Sequence, residues 1–270
     1  MKKQKTGFTL IELLVVIAII ALLLSIVLPG FRRAKFIAKR VVCASQMKQG
    51  VTALLCYADP KLPRGAMPKG GANGEEEIKK GLSWSQLDWI HEASWLPVTS
   101  YLKDTRAMIC PAMVPIYRKK YSEPVGNGDR FEGEPFIVNR DNWTAYKLGY
   151  NYHGGHYAQF WPARMNNSPW VSPEKTSDSG VLPLLSCFIN KSNSRDKTFI
   201  AHAPGGTLEG EVKQLPSEIP GSKGSGGNVG HLDGSVAWKP LEKMEEHLRA
   251  KAYGTTLQIE PGSTILTGYW

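Results

Sequence analysis

Between Phe8 and Leu28 the chain carries a single charge, Glu12, and Leu13 to Leu24 is apolar without interruption. Ser25 is the one polar side chain between Leu13 and Leu28. This span of about 21 residues is close to the ~20 that a helix needs to cross the hydrocarbon of a bilayer. A chain built on such a segment divides between oil and water, so the remainder must supply a core of its own. Glu12 stands at the edge of the oil, where a carboxylate normally has a partner or lies among head groups.

An ordinary secretory signal would have a shorter apolar core and an Ala-x-Ala-like cleavage site after it. Here the run ends in Ser25-Ile26-Val27-Leu28-Pro29, which is a poor site. A plain signal anchor satisfies the hydropathy equally well. Both flanks are basic, so charge does not decide the orientation. Lys2, Lys3 and Lys5 precede the run; Arg32, Arg33, Lys35, Lys39, Arg40 and Lys48 follow it, with no acid between Gly30 and Ala58. The net charge of +9 belongs to these flanks, because the remaining Lys and Arg equal the 24 acids in number. A basic collar beyond a membrane segment attracts anionic lipid at roughly 1 kcal/mol per residue, or meets the acids of another subunit. Nucleic-acid binding is the weaker reading, because the balanced globule shows no basic patch.

After Pro29 the apolar residues Ala34, Ile37, Val41, Ala44, Met47, Val51, Leu54 and Ala58 recur every three or four positions. That is a one-sided helical stripe, ended by Asp59-Pro60 and Pro63. Residues 8–58 therefore read as one helix of roughly 75 Å, with a bend expected at Pro29 or Gly30, its stripe packed on the protein's own globule. Residues 59–81 form a Gly/Pro-rich connector, and 82–103, with Trp84, Trp89 and Trp95, short helices and turns. Beyond them Ala107–Cys110, Pro135–Val138, Tyr146–Tyr152, Leu182–Ile189 and Thr198–Ala201 are short strand-like runs bounded by Gly, Pro, Asn and Ser. Residues 203–227 read mostly as loop. Asp233-Gly234 signals a two-residue type I′ hairpin. Pro240 to Lys251 reads as a short helix with Pro in its first turn, and Thr255–Ile259 with Ser263–Thr267 as a closing hairpin.

The expected fold class is α+β: a long N-terminal helix, one half for the membrane and one amphipathic, packed on an antiparallel β-sheet globular domain. The divisions are a leader at 1–7, a membrane or filament-core helix at 8–29, its amphipathic continuation at 30–58, and a β-rich globule at 59–270. All 8 Trp lie in that last part.

Cys43, Cys56, Cys110 and Cys187 are candidates for disulfide pairing if the globule is exported. On one helix Cys43 and Cys56 are about 20 Å apart, so any bridge reaches into the globule; buried free thiols are the alternative. His153 and His156 form an HxxH pair among glycines, and His202, His231 and Asp233 lie near strand ends, but no ligand spacing singles out a zinc site. Glu209, Glu211, Glu218 and Asp233 offer no calcium-loop spacing either. There is no Gly-x-Ser-x-Gly elbow and no phosphate-binding loop. No catalytic residue, metal or cofactor is expected, and the chain is not read as an enzyme.

Gly7-Phe8-Thr9-Leu10-Ile11-Glu12, with Pro29 behind it, resembles the prepilin signature of type IV pilins and type II secretion pseudopilins. The resemblance implies cleavage after Gly7 by prepilin peptidase, N-methylation of the new terminus Phe8, and a Glu12 that meets the amine of a neighbouring subunit and sets register. Within one helix Glu12 also lies one turn from that amine. Cys43 to Gly50, Tyr57, Asp59, Pro63, Cys110-Pro111, Gly149 to Tyr152, and Asn228-Val229 through Val236 resemble a pseudopilin-like family with a large globule, marked by a His, nine residues and Asp-Gly. Lys223 stands at that His position, so no role of the His is carried over.

Together these imply a structural subunit of a type IV pilus or type II secretion-type pseudopilus. Its expected partners are prepilin peptidase, other pilin subunits, an inner-membrane assembly platform and lipid. It is expected in the bacterial inner membrane as a single-pass protein with the globule outside the cytoplasm, then in a filament. A minor or tip pilin that binds a surface or DNA is the alternative.

Overall fold

The structure, a computed structural model, describes residues 9–62, 65–70, 87–124, 128–140, 143–155, 172–192, 197–211, 215–248 and 266–270. Helix α1 runs from Leu10 to Tyr57, 48 residues or about 72 Å at 1.5 Å per residue. It passes through Pro29 and Gly30 as one helix, although Pro29 withdraws a backbone donor from its ladder. Thr9 caps it in a reciprocal box with Glu12, and Ala58 closes it with an N–H donated to the Leu54 carbonyl.

The globule is an antiparallel β structure, and the whole is a mixed α+β fold. Its strands are β1 (Trp89–His91), β2 (Phe136–Arg140), β3 (Trp143–Lys147), β4 (Tyr150–Tyr152), β5 (Pro183–Cys187), β6 (Ile189–Ser192), β7 (Lys197–Ala203), β8 (Gly206–Glu211), β9 (Gly226–His231), β10 (Val236–Pro240), β11 (Glu246–Leu248) and β12 (Leu266–Tyr269). A small sheet has the order β1-β3-β2; the large one runs β11-β12-β6-β7-β9-β5-β4, with β8 added on β7 and β10 on β9. Short helices at Glu92–Thr99 and Val114–Lys120 and a 3-10 turn at Thr105–Met108 fill the connections.

The C-terminal part of α1 lies on β5, β9 and β10. Cys43, Met47, Val51 and Leu54 form its inner face, buried with Met108, Ile109, Tyr150, Leu184 and Leu185. The helix comes this close because β9 offers no side chain at Gly230. A Cβ there would stand 2.6 Å from Val51 Cγ2 and 3.3 Å from Met47 Cγ. Gly230→Ala is therefore expected to cost about 1–3 kcal/mol by overpacking, read as a lower Tm of the detergent-solubilised chain. Adding Val51→Ala should recover part of the loss, because the two sites share one contact; strictly additive losses would contradict this account.

The expected stripe is covered over only part of its length. Met47, Val51, Leu54 and Ala58 are buried, but Ile37 and Val41 are 48% and 61% exposed and Ala34 is exposed as well. Phe36 is the first residue of the helix that is not exposed, and its ring meets Trp238 edge-on at 6.1 Å.

Four local expectations are corrected. The expected helix from Pro240 is not formed as far as Leu248: a single 3-10 turn, Leu241–Lys243, leads into β11, which pairs with β12, and residues 249–251 lie outside the described residues. Residues 203–227 contain β8, a polar edge strand, and β9 begins at Gly226. Ala107 and Met108 end a 3-10 turn capped by Asp104, so Ala107–Cys110 is no strand. The hairpin at Asp233-Gly234 is not a two-residue loop. The Gly234 N–H bonds the His231 carbonyl, the His231 N–H bonds the Ser235 carbonyl, and the left-handed residue is Gly234 at φ +83°. The Asp233 carboxylate takes the Ser235 N–H at 2.8 Å, which holds the Asp within a turn that ends on the glycine. Trp84 and the segments Thr255–Ile259 and 263–265 lie outside the described residues.

Candidate functional site

The first site is the start of α1. The Thr9 N–H and hydroxyl donate to Glu12 Oε2 at 2.8 and 2.7 Å, and the Glu12 N–H returns to Thr9 Oγ1 at 3.3 Å. Two donors that a helix start leaves open are thereby satisfied. No residue of α1 before Cys43 is buried, and the exposed side chains from Leu10 to Leu28 are almost all large and apolar. An apolar surface of this size requires an apolar environment. α1 is long and apolar enough to cross a membrane. Gly7 and Phe8 lie outside the described residues.

The basic collar is divided in its work. Arg32, Arg33 and Lys35 are exposed. Arg40 instead stacks its guanidinium 4.1 Å over the Trp238 ring, and Lys48 donates to the Gly234 carbonyl at the hairpin tip. Asn228 on β9 donates its amide to the Arg40 carbonyl at 3.0 Å. These contacts tie the helix to the β9–β10 hairpin, a use of Arg40 and Lys48 that charge counting does not reveal.

The second site lies where α1 enters the globule. Cys43 of α1, Cys110 in the turn after the 3-10 helix, Cys187 at the end of β5 and His202 of β7 are all buried, and their ligand-type atoms lie within 4.8 Å of one another. Cys43 Sγ is 3.3 Å from Cys187 Sγ and 3.9 Å from Cys110 Sγ; Cys110 Sγ is 3.1 Å from His202 Nε2. All three are free thiols, as is the exposed Cys56. Burial pushes the Cys110 and Cys187 thiols well above the usual range. Burial also opposes ionisation of Cys43, but its contacts with Cys110, Cys187 and His202 outweigh that and hold it well below the usual range. One sulfur of the group is thus poised to carry charge shared among its neighbours.

Residues 2–28 match the family model of the prokaryotic N-terminal methylation motif. No curated protein and no solved structure matches the chain. The methylation motif and the apolar helix behind it are consistent with a type IV pilin-like protein. The motif supports a pilin- or pseudopilin-type substrate of prepilin peptidase, and assembly with other pilin subunits. It indicates a structural protein rather than an enzyme, one anchored in a membrane. It ends at residue 28, so the cysteine cluster lies wholly outside it.

The remaining candidates separate. His153 is buried with its Nε2 2.9 Å from Ser186 Oγ and its ring 4.1 Å from that of Trp270. His231 Nδ1 lies 3.0 Å from the Val181 carbonyl. Glu209 and Glu211 are on β8, Glu218 caps its own turn through the Leu215 N–H, and Asp233 serves the hairpin. His156 is outside the described residues. Of the histidines read from the sequence, His202 alone joins other ligand-type groups among the described residues. Its partners are cysteines, read there as disulfide candidates and not as ligands.

Proposed function

We propose that the chain is a structural subunit of a type IV pilus or type II secretion-type pseudopilus, cut after Gly7 and methylated on Phe8. The observation that carries this reading is the continuity of the methylation motif at 2–28 with a helix that stays exposed up to Lys35. Ordinary signal cleavage would discard that helix. Cleavage after Gly7 retains it, with its apolar surface free to lie first in the inner membrane and then among the helices of other subunits. Ala34, Ile37 and Val41, left exposed by the globule, extend that surface. Hydrophobic burial supplies most of the assembly energy, and Glu12 sets the register. The globule, outside the cytoplasm, forms the filament's exterior. Prepilin peptidase, other subunits and an inner-membrane assembly platform are the partners, with anionic lipid at Arg32, Arg33 and Lys35.

Mass spectrometry of the N-terminus of the protein purified from its native cells tests this. N-methyl-Phe8 is the expected terminus. An intact Met1, or a cut beyond Pro29, would overturn the reading.

A further inference from the structure

We propose that Cys43, Cys110, Cys187 and His202 bind one zinc ion in a closed tetrahedral site that fastens the long helix to the globule. The geometry carries the assignment. Zn–S and Zn–N bonds of about 2.3 and 2.0–2.1 Å place the ligands of a tetrahedral zinc about 3.5–3.8 Å apart. The three separations along the cluster are 3.3, 3.9 and 3.1 Å, and all four ligand atoms fall within 4.8 Å. That spread encloses one ion and is too tight for two bridged ones. Three sulfurs with one imidazole nitrogen form a soft donor set that selects zinc among divalent ions without requiring redox chemistry. Four protein ligands leave no open position, so the site is structural and not catalytic.

The surroundings fit the charge. Three thiolates around Zn2+ leave one net negative charge in a buried place, which donors to sulfur must offset. The Asn228 N–H points to Cys187 Sγ at 3.2 Å and the Tyr150 hydroxyl to Cys43 Sγ at 3.7 Å; the Ala112 N–H serves Cys110. Binding displaces the three thiol protons to solvent, while His202 binds as the neutral ring through Nε2. A disulfide is the rival, since Cys43 and Cys187 are neighbours. It would use two sulfurs and leave a buried thiol against a buried imidazole with no task. The zinc site uses all four groups.

The position gives the ion its role. Cys43 is the first buried residue of α1, so the ion sits at the neck between the exposed arm and the globule. It joins α1 to the turn after Met108, to β5 and to β7, segments far apart in sequence.

The test is elemental analysis of the full-length chain, purified in detergent without chelators, together with a thiol count after denaturation. About one zinc per chain and four reactive thiols are expected. Cobalt replacing zinc should give the visible bands of a tetrahedral site and thiolate charge-transfer absorption. His202→Ala and Cys110→Ser should lose the ion, whereas Cys56→Ser keeps it. His202→Cys should retain zinc and strengthen the cobalt–thiolate absorption, which separates ligand loss from misfolding. A folded wild-type chain that takes up no zinc from an equimolar supply would overturn the proposal. So would a disulfide among Cys43, Cys110 and Cys187, iron or copper in zinc's place, or zinc retained in both His202→Ala and Cys110→Ser. None of these results bears on the N-terminal processing, which the mass of the terminus reports separately.

Discussion

Lys147→Ala is expected to destabilise the globule by about 3–5 kcal/mol, because it strands a buried carboxylate. Lys147 at the end of β3 is 3% exposed and Asp88, just before β1, is 1% exposed. The ammonium donates to Asp88 Oδ2. Around it stand the rings of Trp89, Tyr117 and Tyr121, their centroids 5.8, 5.6 and 5.8 Å from Nζ. Tyr117 and Tyr121 belong in turn to an aromatic cluster with Phe131 and Phe136. The charge is thus held in an apolar place, where each ion depends on the other and on the ring faces for its lost hydration. Removing the cation alone leaves Asp88 without its counter-ion; removing Asp88 alone leaves the cation. Asp88→Ala should therefore cost a similar amount. The double variant Asp88→Leu with Lys147→Met should sit near the wild type, since a matched apolar pair has no charge to desolvate. Denaturant unfolding in detergent of the wild type, Asp88→Leu, Lys147→Met and the double variant closes the cycle that measures the coupling. A single-variant loss below about 1 kcal/mol, the range of solvent-exposed pairs, would mean that water reaches the pair.

Why this pair and the cysteine cluster escape a reading of the sequence has a common cause. The long helix is legible because its signals are local: an unbroken apolar run, apolar residues at a spacing of three and four, and a Pro beyond the end. β2 and β7 are legible for the same reason, as short apolar runs between turn residues. The Asp88–Lys147 pair depends on β1 meeting β3 across the connection, with Trp89 opposite Lys147. The cluster draws single residues from α1, a turn, β5 and β7, so it has none of the short fixed spacings by which a metal site is recognised. Pairing also overrode local pattern. Residues 246–248 follow a proline-led segment with helical character, yet β12 lies alongside and takes them as a strand. Gly206–Glu211, with two glycines and two glutamates, has little strand preference of its own and exists as a strand because β7 offers it an edge. The exposed Ile37 and Val41 mark the same boundary from the other side: periodicity identifies an apolar face but not what covers it.

Glu12→Ala is expected to leave membrane insertion and cleavage after Gly7 intact and to reduce filament assembly to background. Glu12→Gln decides why. In the uncut chain the carboxylate belongs to the capping box with Thr9, and a capping box accepts Gln as well as Glu. Gln therefore preserves the helix start and removes only the charge. On the proposed reading, cleavage creates a cationic amine at Phe8, one helical turn from Glu12 and beside the positive end of the helix dipole, where a cation is disfavoured. Each new terminus thus needs a carboxylate, its own or that of the subunit ahead of it. A subunit whose amine is met by its neighbour's Glu12 is held at one stagger, whereas apolar helices packed without that pair slide at little cost. If charge sets the register, Gln fails as Ala does while both show N-methyl-Phe8 by mass spectrometry and insert normally. If the helix start alone matters, Gln assembles like the wild type, sheared-filament yields separate the two variants, and the register role is lost. Wild-type yields from both would remove Glu12 from assembly altogether and leave the apolar surface of α1 to set the stagger by packing alone.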